Sequence, residues 1–314
     1  MRIVFMGTPD IAVPTLEALA KHPSHEVVGV ISQPDRPKDR GKKLQPTPVK
    51  ATALTLGLSV YQPERIKSPE AYELIQTLNP DIIVVIAYGQ ILPKRVLDHP
   101  KHGTINIHGS LLPKYRGASP IQQAILNGDA VTGITIMQMD AGMDTGDMIL
   151  KESFPIPGGY TSGDLFVHMG ALAPKPLLEA LAQIEAGTAV RTPQGDDFTH
   201  APMLDKELGC IQWDQSSETI VNLIHGLNPW PGAFTHVGNE VLKIWRGQVL
   251  EGTFTGQVGE ILTADPKEGL IVKTGDGAIL LTEIQKKGGK RLSATEFLKG
   301  HTFERGSLCF SIQP

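Results

Sequence analysis

Short β-branched runs alternate with helix-patterned stretches over the first 185 positions of the chain. Residues 2–6, 26–32, 59–62, 81–87 and 103–108 have the apolar, β-branched make-up of buried strands, and 132–137 repeats it. Between them, Ile11, Leu16 and Leu19 fall near helical spacing within 11–21, and 68–78 opens on Ser68-Pro69, an N-cap followed by a first-turn proline. Strand and helix in alternation predict an α/β, doubly wound, mostly parallel (Rossmann-like) sheet. Ligands in such sheets sit beyond the carboxyl ends of the strands, so the residues ending each strand are the first candidates for chemistry.

Downstream the pattern changes. Residues 161–185 predict one helix despite Pro174 and Pro176, and 186–204 are rich in Gly, Thr, Pro and Asp, which reads as a linker. A helix is expected at 216–227. Short alternating runs follow at 233–237, 241–245, 259–263, 270–273 and 278–284, and Gly275-Asp276-Gly277 is a hairpin signal. This half predicts a smaller antiparallel β-barrel of the OB-like kind. The expected organisation is a catalytic domain over 1–187, a linker over 188–206 and an OB-like domain over 207–314.

Composition narrows the class without naming a function. With 314 residues, 40% hydrophobic and 20% charged, the chain can bury more than one core, which excludes a small stapled fold and long disorder. Lys plus Arg total 29 against 33 Asp plus Glu, a net charge of -4, so nucleic-acid contact would need a local basic patch. Cys210 and Cys309 form neither a disulfide framework nor a zinc-ligand pair, which fits a reducing compartment. No apolar run approaches the ~20 residues of a membrane span, and the opening residues lack the three regions of an export signal. A cytoplasmic protein with no membrane partner is expected.

Candidate chemistry gathers at two strand ends. Gly7-Thr8-Pro9 follows the first strand without G-x-G-x-x-G, which disfavours a dinucleotide, and the P-loop pattern is also missing. Asn106 and His108 share one face at the end of their strand, because strand side chains alternate. The pair either caps a strand or puts an amide donor beside a group that can carry a proton. The Gly-rich segment 139–147 holds three carboxylates; Asp144 either caps a turn or orients His108. Ser110 lacks the G-x-S-x-G elbow, and the histidine pairs His22/His25 and His99/His102 lack H-E-x-x-H, so no metal is expected. Between Pro34 and Pro46, Arg36, Lys38, Arg40, Lys42 and Lys43 stand against two carboxylates, a solvated charged loop or a phosphate contact.

Taken together, Met6-Gly7-Thr8-Pro9, the basic loop with Pro46-Thr47-Pro48-Val49-Lys50, the run from Asn106 to Pro120 and Asp140 to Asp147 resemble the methionyl-tRNA formyltransferases. Asn-x-His followed by Ser-Leu-Leu-Pro-x-Tyr-Arg-Gly, with Asp-x-Gly-x-Asp-x-Gly downstream, is specific to enzymes that use 10-formyltetrahydrofolate. The resemblance implies Asn106, His108 and Asp144 as catalytic residues, with Asp144 holding His108 in its charged form. It implies a folate contact at Ser110, Leu111, Leu112 and Pro113. Initiator methionyl-tRNA is the implied partner, met by the basic loop and above all by Arg40. A monomer is expected. One departure is Asp39, where family members often carry Gly before the Arg. Enzymes that formylate a sugar nucleotide share the catalytic run, so the basic loop and the second domain carry the choice of acceptor.

Overall fold

The computed structural model describes residues 1–38 and 43–311. The chain divides into two compact units, Met1–Gly117 with Thr132–Phe154 and Phe166–Ala201, and Ala118–Val131 with Pro155–Leu165 and Pro202–Pro314.

The first unit is built on seven strands: β1 (Arg2–Gly7), β2 (Glu26–Ile31), β3 (Val60–Tyr61), β4 (Ile82–Ile86), β5 (Thr104–His108), β6 (Val131–Gln138) and β7 (Met148–Pro155). Their order across the sheet is β7-β6-β5-β4-β1-β2-β3. The pairs from β5 to β3 are parallel, and β6 runs antiparallel to β5. The doubly wound expectation therefore holds, with an antiparallel margin. Ile3, Val4, Phe5 and Met6 are all fully buried, as are Ile82, Ile83 and Val84, because a strand covered on both faces is apolar at every position. Helix Pro69–Leu78 begins where expected, with the Ser68 hydroxyl accepting the Ala71 N–H. It buries Ala71 and Ile75 against Val4, Met6, Ile31, Ile83 and Val85.

The single helix expected over 161–185 is two, Ser162–Leu172 and Pro174–Glu185. Pro174 has no N–H to continue a helix and a fixed φ suited to starting one, so the break falls at Ala173. Part of the stretch read as a linker is ordered by backbone pairing. Thr192 exchanges two hydrogen bonds of 2.9 Å with Met148, and His200–Ala201 pairs in parallel with Arg116–Gly117.

The second unit holds β8 (Ala233–Val237), β9 (Glu240–Leu250), β10 (Ile261–Asp265), β11 (Gly269–Lys273), β12 (Ala278–Lys286), β13 (Leu292–Ser293) and β14 (Cys309–Phe310). They form an antiparallel sheet ordered β10-β11-β12-β9-β8-β14, with β13 on β12. The sheet curls until its edges meet. Ile261 N–H donates to Ser307 O at 2.8 Å and Cys309 N–H to Gly259 O at 2.8 Å, the closure expected of a small barrel-like domain. Helix Ser217–Gly226 lays Ile220 and Ile224 on Ile244, Leu281 and Ile284 in the core. The hairpin at Gly275-Asp276-Gly277 forms, tightened by Gly277 N–H donating to Thr274 Oγ1 at 3.0 Å. β9 is longer than expected and shifts register against β12 on both sides of Arg246. Among the described residues no helix is long and apolar enough to cross a membrane.

Candidate active site

His108 ends β5 and is 5% exposed. Its Nε2 lies 2.8 Å from the carbonyl oxygen of Tyr115. A carbonyl oxygen only accepts, so Nε2 carries a proton and donates it there. The other ring nitrogen, Nδ1, faces Asp144 Oδ2 at 3.7 Å, too far for a direct hydrogen bond and close enough for charge to be felt. Asn106 stands two residues earlier on the same side of the strand, half-buried, and its amide has no hydrogen-bond partner among the described residues. The strand thus supplies one oriented imidazole and one free amide donor at its carboxyl end.

The loop that carries Asp144 is held by its own polar groups. Asp140 Oδ1 accepts from Gly142 N–H at 3.0 Å and from the Thr145 hydroxyl at 2.7 Å, an Asx-type turn. Asp144 adopts φ +53, a left-handed backbone, and its Oδ2 accepts the Gly117 N–H at 2.9 Å. Gly117 cannot be replaced freely. Its φ is +124, and a Cβ there would fall 2.6 Å from Ala201 O.

The segment after His108 is latched to β6 by one buried hydroxyl. Thr135 donates to Ser110 O at 2.7 Å and accepts from Leu112 N–H at 3.0 Å. Ser110 and Leu112 are fully buried, and Leu112 packs with Met137 and Met148. Of the four residues expected to meet folate, these two point inward, whereas Leu111 and Pro113 are partly exposed. A ligand lying on this segment meets backbone and those two side chains.

Pattern reading missed Gln194. Its Nε2 donates to Asp144 O and Gly146 O, each at 2.8 Å, and its Oε1 accepts from Arg116 Nε at 2.8 Å. Arg116 also lies over the Phe198 ring, 4.4 Å from its centroid. Thr199 completes the strap: its hydroxyl accepts the Tyr115 N–H at 2.8 Å, and its carbonyl accepts the Arg116 N–H at 2.8 Å. Residues 192–201 therefore tie together the loop that orients His108 and the loop that carries Asp144. The only sequence signal was a polar Gln in a Gly/Pro/Thr tract, which carries no period.

The basic segment rises as two antiparallel arms, Arg36–Lys38 against Lys43–Gln45. Arg40 and Lys42 lie outside the described residues, as do the side chains of Lys38 and Lys43. The root of the arms is fixed. Lys50 Nζ donates to Asp35 Oδ2 at 2.6 Å and to Gln62 Oε1 at 2.7 Å, and Gln62 Nε2 donates to Asp35 Oδ1 at 2.7 Å. The bonds from Lys50 and then Gln62 hold the Asp35 carboxyl below its usual range. Arg36, Gln33, Thr8, Asp10 and Gly89 line a cavity of about 420 Å³ beyond the ends of β1 and β2.

This fold and this strand-end site define a formyl-transferring enzyme: the family described as Formyl transferase matches residues 1–181, and its C-terminal domain matches 203–302. The methionyl-tRNA formyltransferase of Alkaliphilus metalliredigens is 49% identical over 310 residues, covering 98% of each chain. The chain belongs to the methionyl-tRNA formyltransferase family. Two solved structures share the fold at lower identity. An N-formyltransferase from Helicobacter canadensis, on complex with folinic acid and dTDP-3-aminofucose, is 22% identical with a TM-score of 0.67, covering 90% of this chain and 98% of its own. HypX from Aquifex aeolicus in complex with tetrahydrofolic acid is 21% identical with a TM-score of 0.64, covering 96% of this chain. The present chain spans 48% of that HypX chain, about half its length.

Proposed function

We propose that the chain moves the formyl group of 10-formyltetrahydrofolate onto the α-amino group of methionine on initiator methionyl-tRNA, with Asn106, His108 and Asp144 as the catalytic residues. The observation that carries this reading is the fixed imidazole. Its Nε2–H is committed to Tyr115 O, and its Nδ1 faces the Asp144 carboxylate across 3.7 Å. A ring already charged could not accept a proton, so, in departure from the expected charged form, the neutral ring offers its Nδ1 lone pair as base, and Asp144 favours the charged ring only once the proton has arrived.

The amine nitrogen attacks the formyl carbon, and the carbonyl electron pair moves to oxygen. Asn106 Nδ2 donates to that oxyanion. His108 Nδ1 takes the proton that the amine loses, and the negative Asp144 offsets the imidazolium so formed. Collapse of the tetrahedral adduct breaks the bond from carbon to N10, and His108 returns the proton to N10. One proton has moved from amine to folate nitrogen, so the balance closes without an oxidant or reductant. Folate lies along Ser110, Leu111, Leu112 and Pro113 in this reading, through backbone and the partly exposed side chains of Leu111 and Pro113.

The basic arms meet the tRNA backbone through Arg36, Lys38, Arg40, Lys42 and Lys43. The working domains are 1–187 for catalysis and 207–314 for tRNA binding, joined by 188–206, in a cytoplasmic monomer. The test offers methionyl initiator tRNA, uncharged tRNA and a UDP-amino sugar as acceptors beside 10-formyltetrahydrofolate. Formylation of the charged tRNA alone is expected. Activity confined to the sugar overturns the choice of acceptor.

A further inference from the structure

The second unit carries an aromatic and cationic cluster that the chemistry above leaves unused. On β9, Leu242 and Ile244 point into the core, so strand alternation sends Lys243 and Trp245 to the opposite face. Trp245 is nonetheless only 8% exposed: its Nε1 donates to Gln285 Oε1 at 3.1 Å, and two cations lie by its ring. Lys243 Nζ lies 5.2 Å from the ring centroid, and the Arg291 guanidinium lies 4.8 Å from it.

The loop 228–232 is tied onto the same group. Asn228 Nδ2 donates to Trp245 O at 2.7 Å, Arg291 donates to Asn228 Oδ1 at 3.5 Å, and Lys243 Nζ donates to Pro231 O at 3.4 Å. Gly232 lies against the indole, where a Cβ would come 3.0 Å from the Trp245 ring. Trp230 sits within this anchored loop and is 52% exposed. Its neighbours Asn228 and Pro231 are tied, and its ring is an aromatic face open to solvent. Glu283 accepts from Arg291 at 2.6 Å and offsets part of the charge, while Lys287 and Lys290 stand exposed on the turn that precedes Arg291.

We propose that Trp230, Lys243 and Arg291 form a stacking site for an unpaired nucleotide of the RNA substrate, the base on the Trp230 ring and its phosphate on the two cations. The inference rests on the reading that the acceptor is tRNA. Every base has a π-face, so stacking on an aromatic tolerates any sequence, and the neighbouring cations select a polyanion. Inside a duplex both faces of each base are covered by its neighbours, so the site prefers single strands to the body of a duplex.

The test titrates a single-stranded RNA tetranucleotide, and separately a short RNA duplex, into the full chain while tryptophan emission is followed. Trp213 is buried in the core and Trp245 lies beside the two cations, so the part of the quench that Trp230→Phe abolishes is the part that reports Trp230. Quenching by the single strand at lower concentration than by the duplex is expected. Trp230→Phe keeps an aromatic face and should retain affinity by competition while losing the quench. Trp230→Ala should weaken single-strand binding roughly ten- to hundredfold and raise KM for methionyl-tRNA. Unaltered quenching in Trp230→Phe, equal affinity for duplex and single strand, or an Ala variant that binds as tightly as the parent overturns the proposal. A parent chain that formylates methionyl-tRNA yet shows no quench refutes this site alone, whereas one that formylates no tRNA refutes the function beneath it.

Discussion

His108 illustrates how one residue acquires a role from what its two nitrogens can reach. Tyr115 O fixes Nε2 as the donor, so under the proposed mechanism the proton passes through Nδ1 on the Asp144 side. Replacing His108 with Ala removes that shuttle and should lower kcat by ~100- to 10,000-fold, with tRNA affinity little changed. On the same proposal, Asn106→Ala leaves the shuttle intact and should lose about 2.7–4 kcal/mol of transition-state stabilisation with the oxyanion donor. Single-turnover rates at saturating substrates separate the two from binding defects. Near-normal turnover in His108→Ala would remove the imidazole from the reaction, and an Asn106 effect confined to KM would make that residue a positioning group. Both residues were legible in the sequence because strand alternation alone places them on one face at a carboxyl end. The left-handed backbone of Asp144 was not, since Asp is not a residue whose identity demands a positive φ.

Elements set how firmly such residues are held. The strap 192–201 went unread as structure because its order comes from backbone pairing and from one amide side chain, neither of which leaves a hydrophobic period. The strands were read well for the converse reason, burial on both faces writing itself into the composition. Gln194→Glu tests the strap: the carboxylate still accepts from Arg116 but cannot donate to Asp144 O and Gly146 O. Both Gln194→Glu and Gln194→Ala should cut kcat by up to ~100-fold through a shifted Asp144. Assayed well below its melting temperature, the Glu variant should lose more rate than its loss of stability accounts for. If Gln194 were only a structural tie, rate would follow stability and the Glu variant would be nearly as active as the parent.

Helix Ser217–Gly226 makes a prediction of its own through His225, which is 8% exposed. Burial first, and then the nearby Arg246, push its pKa below the ordinary 6.5. The folded state therefore binds fewer protons than the unfolded state once pH drops below 6.5. Its contribution is fully present above that value and is lost as pH falls toward the lowered folded value. His25, depressed by burial in the first unit, acts with the same sign. The melting temperature should decline from neutral to mildly acid pH, and His225→Gln should flatten part of that decline. Parallel curves for parent and variant would show that the buried ring does not titrate in this window.

At the scale of the whole molecule, a chain of net charge -4 has to attract a polyanion with local charge. The sequence concentrates five cations between Pro34 and Pro46, and where the described arms begin, the Asp35, Lys50 and Gln62 network ties their root. If the arms lie on duplex phosphates, each lost contact removes ~0.9 from the slope of log affinity against log salt. Arg40→Gln combined with Lys42→Gln should therefore weaken tRNA binding most at low salt and reduce the slope by up to about two. Folate affinity should be unchanged, because neither residue belongs to the segment 110–113. A double variant that loses folate affinity and keeps the parent's salt slope would assign the arms to the cofactor, and the negative chain would then need another basic surface for its RNA.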